Sequence, residues 1–241
     1  MLTMERFKFD PVAHFYTLDN KPLMGVTTIL GQTIAKPQLI QWSANEAVKY
    51  IKEAIYEKSL MPLKSELDEI FKRASVAHRV KKEKAGGEGT DVHLLCENII
   101  KGAIQANNGL IEARTEDSPQ VQKFIDWAIE NKVKFLASEY RNYSEKHWIA
   151  GTLDLVCEID GKKYLGDIKT SSGIYGREYF AQCAAYRMMA EEHGSRDFHG
   201  SVIVRMGKKG DFEVVYSYDY EEDLRYFLSA LEIYKITNKN K

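Results

Sequence analysis

Apolar positions change their period about halfway along the chain. From Pro37 to about Glu57 they recur at helical spacing (Ile40, Trp42, Ala47, Tyr50, Ile51, Ile55), which predicts a helix. A second helix is predicted over Lys64 to about Lys84, ended by Gly86, Gly87 and Gly89. A third follows over about Thr90 to Lys101, with residues 102–116 read as a loop. Ser118-Pro119 supplies an N-cap and a first-turn proline for a helix to about Asn131. Beyond that point the spacing becomes that of strands, over Lys132–Tyr143, Trp148–Ile159 and Lys162–Thr170. A helix over Tyr175–Glu192, a hairpin of Ser201–Met206 and Phe212–Tyr218 around Gly207–Asp211, and a helix over Glu221–Ile236 complete the core. Ahead of all this, residues 6–18 read as short strands with Asp19-Asn20 as turn residues, and Val26–Ile34 is mixed and could open a helix. No repeat or low-complexity segment is visible. The expectation is one domain of α/β (α+β) class, with a central mixed sheet flanked by helices. Its helical N-terminal region covers about 37–131 and its core about 132–241.

Composition narrows the picture. The 241 residues suffice for one sizeable core, and 44% hydrophobic with 29% charged residues is ordinary globular composition. A net charge of −1 excludes a bulk polycation that binds nucleic acid by charge alone, but allows a local basic patch. Three dispersed cysteines, Cys96, Cys157 and Cys183, fit neither a disulfide framework nor a Cys-x-x-Cys metal site and suggest a reducing, cytoplasmic setting. Met1–Asp10 lacks the apolar core of a signal peptide, and no apolar run approaches the roughly 20 residues of a spanning helix, so no membrane partner is expected. The polar tail Asn238–Lys241 is expected to fray.

The densest chemistry lies between Gly151 and Lys169. Asp160-Gly161 between two apolar runs signals a two-residue type I′ hairpin. Facing pairs then run from Ile159–Lys162 back to Asp154–Asp167. Opposed residues have Cβ atoms about 4.5–5.5 Å apart, so two carboxylates would meet. Lys169 shares the face of Asp167, because side chains alternate along a strand. Paired carboxylates are tolerated when one is protonated or a cation lies between them. Hard oxygen donors suit Mg²⁺ or Mn²⁺, and a neighbouring lysine can stabilise charge on phosphate or orient a water. The competing reading is a solvated hairpin face with interspersed charges. Against it, the opposite face carries Leu153, Leu155, Cys157, Tyr164 and Ile168, and the acidic face also carries Val156 and Leu165. Both faces therefore look covered, and buried charges need partners.

These residues resemble the PD-(D/E)xK nuclease superfamily, and more narrowly its RecB-type branch, which includes phage exonucleases and a mitochondrial genome maintenance exonuclease. The matching pieces are Gly151-x-x-Asp154, Asp167-Ile168-Lys169-Thr170-Ser171 and Gln182-x-x-x-Tyr186. Upstream, Gly89-Thr-Asp-Val-His93 and Val26-Thr-Thr-Ile-Leu30 also match, so the similarity spans about residues 26–190. The resemblance implies a restriction-endonuclease-like core. It implies Asp154, Asp167, the Ile168 carbonyl and His93 as metal ligands, the histidine going with good use of Mn²⁺, and Lys169 as the catalytic lysine. Thr170, Ser171, Gln182 and Tyr186 would lie along the substrate. Leu153 stands in place of the motif's proline, and Asp167 where many members have glutamate. Three dispersed cysteines do not match the four-cysteine iron–sulfur site of some relatives.

Several residues keep two readings. His93 and Glu97 share a helix face; the histidine reaches the metal with Glu97 behind it, or the two simply pair. Glu178, Gln182 and Tyr186 recur at i, i+4 and i+8 and form either substrate contacts or a solvated stripe. Glu139 is a site-facing carboxylate or a surface residue. Lys72, Arg73, Arg79, Lys81, Lys82 and Lys84 make a basic run, read either as a solvated face or as a channel for single-stranded DNA.

The expected activity is metal-dependent DNA hydrolysis. Exonuclease action on DNA ends, single-stranded ones in particular, in replication, recombination or repair comes from the resemblance, as does a phage source. The rivals are an endonuclease or flap-type nuclease with the same site, a non-catalytic nucleic-acid-binding module, and a domain that docks onto replication or recombination proteins.

Overall fold

A computed structural model describes residues 6–57, 62–207 and 210–239. Residues 1–5, which begin the Met1–Asp10 segment read as lacking a signal peptide's apolar core, residues 58–61, the turn residues Lys208-Lys209 and the last two residues of the tail lie outside them. The chain divides into two compact units, Met1–Ile34 with Val92–Lys241, and Ala35–Asp91. Among the described residues no helix is long and apolar enough to cross a membrane.

The larger unit is built on one mixed sheet. A first hairpin pairs β1 (Phe7–Asp10) with β2 (Phe15–Leu18), and β2 turns through Asp19-Asn20 into β3 (Lys21–Gly25). Both turn residues have positive φ, 49° and 60°, a conformation asparagine and aspartate tolerate. Helix α1 (Val26–Thr33) follows directly, and the chain returns to the unit in the C-terminal part of α3 (Lys64–Ala106). Helix α4 (Pro119–Glu130) opens on Ser118, whose hydroxyl accepts from Val121 N–H. Strands β4 (Lys134–Ser144), β5 (Ile149–Ile159) and β6 (Lys162–Lys169) then form an antiparallel meander. Helix α5 (Glu178–Glu192) carries the chain to β7 (Phe198–Met206), parallel to β6. Strand β8 (Phe212–Ser217) and helix α6 (Tyr220–Thr237) close the fold. The sheet runs β1-β2-β3-β5-β6-β7-β8, with β4 on the free edge of β5. This is the expected α+β class, a mixed sheet flanked by helices.

Two apolar layers cover the sheet. On one face Val92, Cys96 and Ile100 of α3 and Phe124 and Ile125 of α4 pack on Leu155, Cys157, Val202 and Val204. On the other, α1, α5 and α6 pack on Val156, Leu165 and Ile203 through Ile29, Ala181, Ala185, Met189 and Phe227. Alternation along β5, β6 and β7 feeds both layers. Leu153 corrects the expected facing, since it joins Val156 and Leu165 rather than Leu155 and Cys157. The alternation lapses between Leu153 and Leu155, opposite Glu139 of β4, whose φ is +51°.

The glycines at 86, 87 and 89 do not break the chain as expected. They lie inside α3, which continues through the predicted break and on to Ala106. A helical glycine costs about 1 kcal/mol relative to alanine, too little to stop a helix with long flanks. Thr90 Oγ1 also donates back to the Gly86 carbonyl at 3.0 Å. The actual stop is Gly109, at φ +88°, whose N–H reaches the Ala103 carbonyl at 2.9 Å.

The smaller unit holds α2 (Pro37–Tyr56) and the N-terminal part of α3. It has little core, with Ile70 and Ala74 buried and no buried residue on α2.

Candidate active site

The site is a gap in the sheet. Asp160 and Gly161 take φ 51° and 72°, and this turn fixes the β5–β6 register from Ile159–Lys162 to Leu155–Gly166. Since β4 takes one edge of β5, β3 shares the other edge with β6 and pairs there only at Ile149 and Ala150. Residues 151–154 therefore lie between β3 and β6, on an edge neither strand occupies. Gly151 has a packing reason: a Cβ there would fall 2.4 Å from Cε1 of Tyr186, so only glycine admits that ring. Gly166 is equally constrained, with Leu155 Cδ1 at 2.3 Å from its would-be Cβ.

Where the ladder ends, side chains replace it. Asp154 Oδ2 accepts the Ile168 N–H at 2.7 Å. Asp167 is 1% exposed, and its Oδ1 accepts from Gln182 Nε2 at 2.9 Å. The same amide nitrogen donates to the Tyr186 hydroxyl at 3.2 Å. Lys169 Nζ lies 2.6 Å from Asp167 Oδ2, yet that oxygen has no well-formed hydrogen bond among the described residues. His93 Nδ1 is 3.6 Å from Asp154 Oδ2, and its ring lies against the Ile168 main chain. His93, Asp154, Asp167, Ile168, Lys169, Gln182 and Tyr186 are thus brought together. The solvated-face reading of this hairpin end fails on burial, although Asp154 and Lys169 keep 18% and 23% of their side chains exposed.

Electrostatics follow from that burial. The Asp154 carboxyl is pushed well above the usual range, first by desolvation and then by the charge of Asp167. His93 is lowered by desolvation, which favours the neutral ring. Burial would lower Lys169, but the charges of Asp167 and then Asp154 outweigh it and hold the ammonium charged. Tyr186 and Cys183 are both pushed far up, by burial first and Asp167 second, so they stay neutral.

Other expected residues fall elsewhere. Ser171 Oγ donates to the Gly173 carbonyl at 2.9 Å, so its hydroxyl serves the loop after β6, and Thr170 is half-buried beside it. Glu178 folds back over Gly176 at the start of α5. Glu97 pairs with Lys101. Glu139 falls opposite Asp154 on β4, at φ +51°, and burial and then the charge of Glu97 raise its carboxyl. A left-handed non-glycine residue costs about 1–2 kcal/mol, and such strain collects at functional sites. Lys81 and Lys82 lie in the smaller unit, where Lys81 pairs with Glu46. Three residues here were not singled out from the sequence, namely Tyr16, Thr152 and Arg141. Thr152 Oγ1 and Tyr16 OH are 2.8 Å apart, and Arg141 is the β4 partner of Thr152. No periodicity marks these contacts, because they depend on where β2 is laid against the meander.

A divalent ion fits this donor set. Asp154 and Asp167 are neighbouring buried carboxylates that repel each other, and the cation closest to Asp167 Oδ2 is the Lys169 ammonium at 2.6 Å. His93 and the Ile168 carbonyl would complete a mixed O/N shell suited to Mg²⁺ or Mn²⁺. Among the described residues, no three His, Cys, Asp or Glu side chains by themselves converge as a metal cage.

No family model and no curated protein matches the chain. Among solved structures, the crystal structure of SSO0001 aligns over 79% of this chain and 86% of its own. The identity is 12% and the TM-score 0.38, too slight a likeness to bear on either fold or chemistry.

Proposed function

We propose that the protein is a metal-dependent nuclease that hydrolyses DNA phosphodiester bonds. The observation that carries this reading is the buried Asp154–Asp167–Lys169 cluster at the gap between β3 and β6. The sequence resemblance to RecB-type nucleases supports it and favours single-stranded DNA ends as substrate.

Each side chain has a role in that chemistry. Asp154, Asp167, the Ile168 carbonyl and His93 would hold the ion. When bound, a divalent ion there supplies charge neutralisation for a phosphodiester attacked by water. The Ile168 N–H fixes the Asp154 carboxylate, and Gln182, itself oriented by Tyr186, fixes that of Asp167. A neutral His93 offers a lone pair. Lys169 keeps its proton and presents a positive charge to the phosphate. The covered sheet faces exclude bulk water and strengthen these interactions.

The test is incubation of end-labelled single- and double-stranded DNA with Mg²⁺, Mn²⁺ or EDTA. Cleavage is expected with either metal, none with EDTA, and none by Asp167→Ala. Resistance of circular single-stranded DNA would mark an exonuclease, and its cleavage an endonuclease. If the wild-type chain with metal cuts no DNA, the reading is wrong.

A further inference from the structure

Beside the acidic cluster lies an arginine without an acidic partner among the described residues. Arg141 is exposed, and its guanidinium lies 4.7 Å from the centroid of Phe9. Phe9 is itself 4.7 Å from the ring of Tyr16 and 5.2 Å, edge-on, from His14. Arg177, Arg187 and Arg205 are all engaged with carboxylates. Arg141 forms no ion pair and donates no hydrogen bond among the described residues. Its one charged neighbour of note is Glu139, which feels its charge without reaching ion-pair distance. Ring packing therefore holds the guanidinium in place and leaves its N–H fork open.

Its position gives that fork a use. Arg141 faces Thr152 across the β4–β5 ladder, and the Thr152 hydroxyl is joined to Tyr16. Asp154 is two residues further along β5, about 7 Å by the rise of a strand. A planar, permanently charged fork on an aromatic support suits a phosphate. Glu139, Asp154 and Asp167 make the surroundings acidic, so a free anion gains little there. An anion delivered by a strand already anchored at the acidic cluster is favoured.

We propose that Arg141, supported by Phe9 and Tyr16, is a subsite for the phosphate of the nucleotide adjoining the scissile one in a single DNA strand. This rests on the nuclease reading and adds a residue that sets the strand's path.

The test is binding of fluorescently labelled oligodeoxythymidylate to the full chain in Ca²⁺, titrated with salt, alongside cleavage in Mn²⁺. One phosphate contact contributes about 0.7 to the slope of log affinity against log salt for a single strand. Arg141→Gln should lower the slope by about that much and weaken binding about five- to tenfold, with an unchanged melting temperature. Arg141→Lys should restore the slope and only part of the affinity. If Arg141→Gln binds with wild-type slope and affinity while the wild type cleaves, the subsite is wrong and the nuclease reading stands. If the wild type neither binds nor cleaves, both fall.

Discussion

The two ends of the β5–β6 hairpin carry the same kinds of residue and behave in opposite ways. At the turn, Asp160 and Lys162 are exposed, Glu158 faces Lys163 across the ladder, and no other atom lies within 4 Å of where a Gly161 side chain would begin. At the open end, Asp154, Asp167 and Lys169 lie between layers of side chains, with one carboxyl forced toward its protonated form. The difference is what flanks the strand. A buried acidic cluster arises where the ladder stops and the sheet faces remain covered, because there acids must share cations rather than water.

That contrast can be broken at several points. The largest effect is expected at Lys169→Ala, which should slow DNA cleavage about 10²- to 10³-fold. Lys162→Ala, at the turn, should leave the initial rate unchanged. Equal rates for both variants would remove the distinction between the ends. Next, Gly151→Ala drives a methyl into the Tyr186 ring and should destabilise the chain by about 1–3 kcal/mol in a urea melt. An unaltered midpoint would show that the ring is free to move away.

Asp154→Asn sharpens the electrostatic half of the comparison. Its folded carboxyl binds a proton more tightly than the unfolded chain does. Wild-type stability without metal should therefore decline as pH rises from about 4, the unfolded value, through the higher folded value. The variant should lack that decline and melt a few degrees higher at neutral pH without metal. It should also lose the stabilisation that excess Mn²⁺ gives the wild type, about 2.7 kcal/mol at a hundredfold excess over Kd. The smallest effect belongs to Asp160→Asn, which keeps a side chain suited to positive φ and should change stability by no more than about 0.5 kcal/mol. Melting curves with and without metal read out both.

The hairpin was legible because a two-residue turn fixes register, but the expected rung of Asp154 facing Asp167 lies just past the last paired rung, Leu155–Gly166, and Asp154 accepts from the Ile168 amide instead. Strands β4–β8 and helices α5 and α6 were legible from period, and α4 from its Ser118-Pro119 start. Three things were not. The glycines before His93 look like punctuation, but a long helix absorbs them at modest cost. Leu153 departs from simple alternation beside the irregularity at Glu139 of β4, which no sequence period marks. The gap at residues 151–154 depends on β3, a short parallel neighbour joined at two positions. Nothing local in Lys21–Gly25 announces such a partner. Tyr16 and Arg141 near the site were hidden for the same reason, since their neighbours are set by long-range strand order.

The Ile168 amide bonds to a carboxylate at a place where its flanking neighbours follow a regular sheet. Its hydrogen exchange with deuterated solvent should consequently track the state of Asp154 rather than the opening of the fold. The backbone thereby contains one probe, needing no label, that distinguishes an empty acidic pair from a filled one.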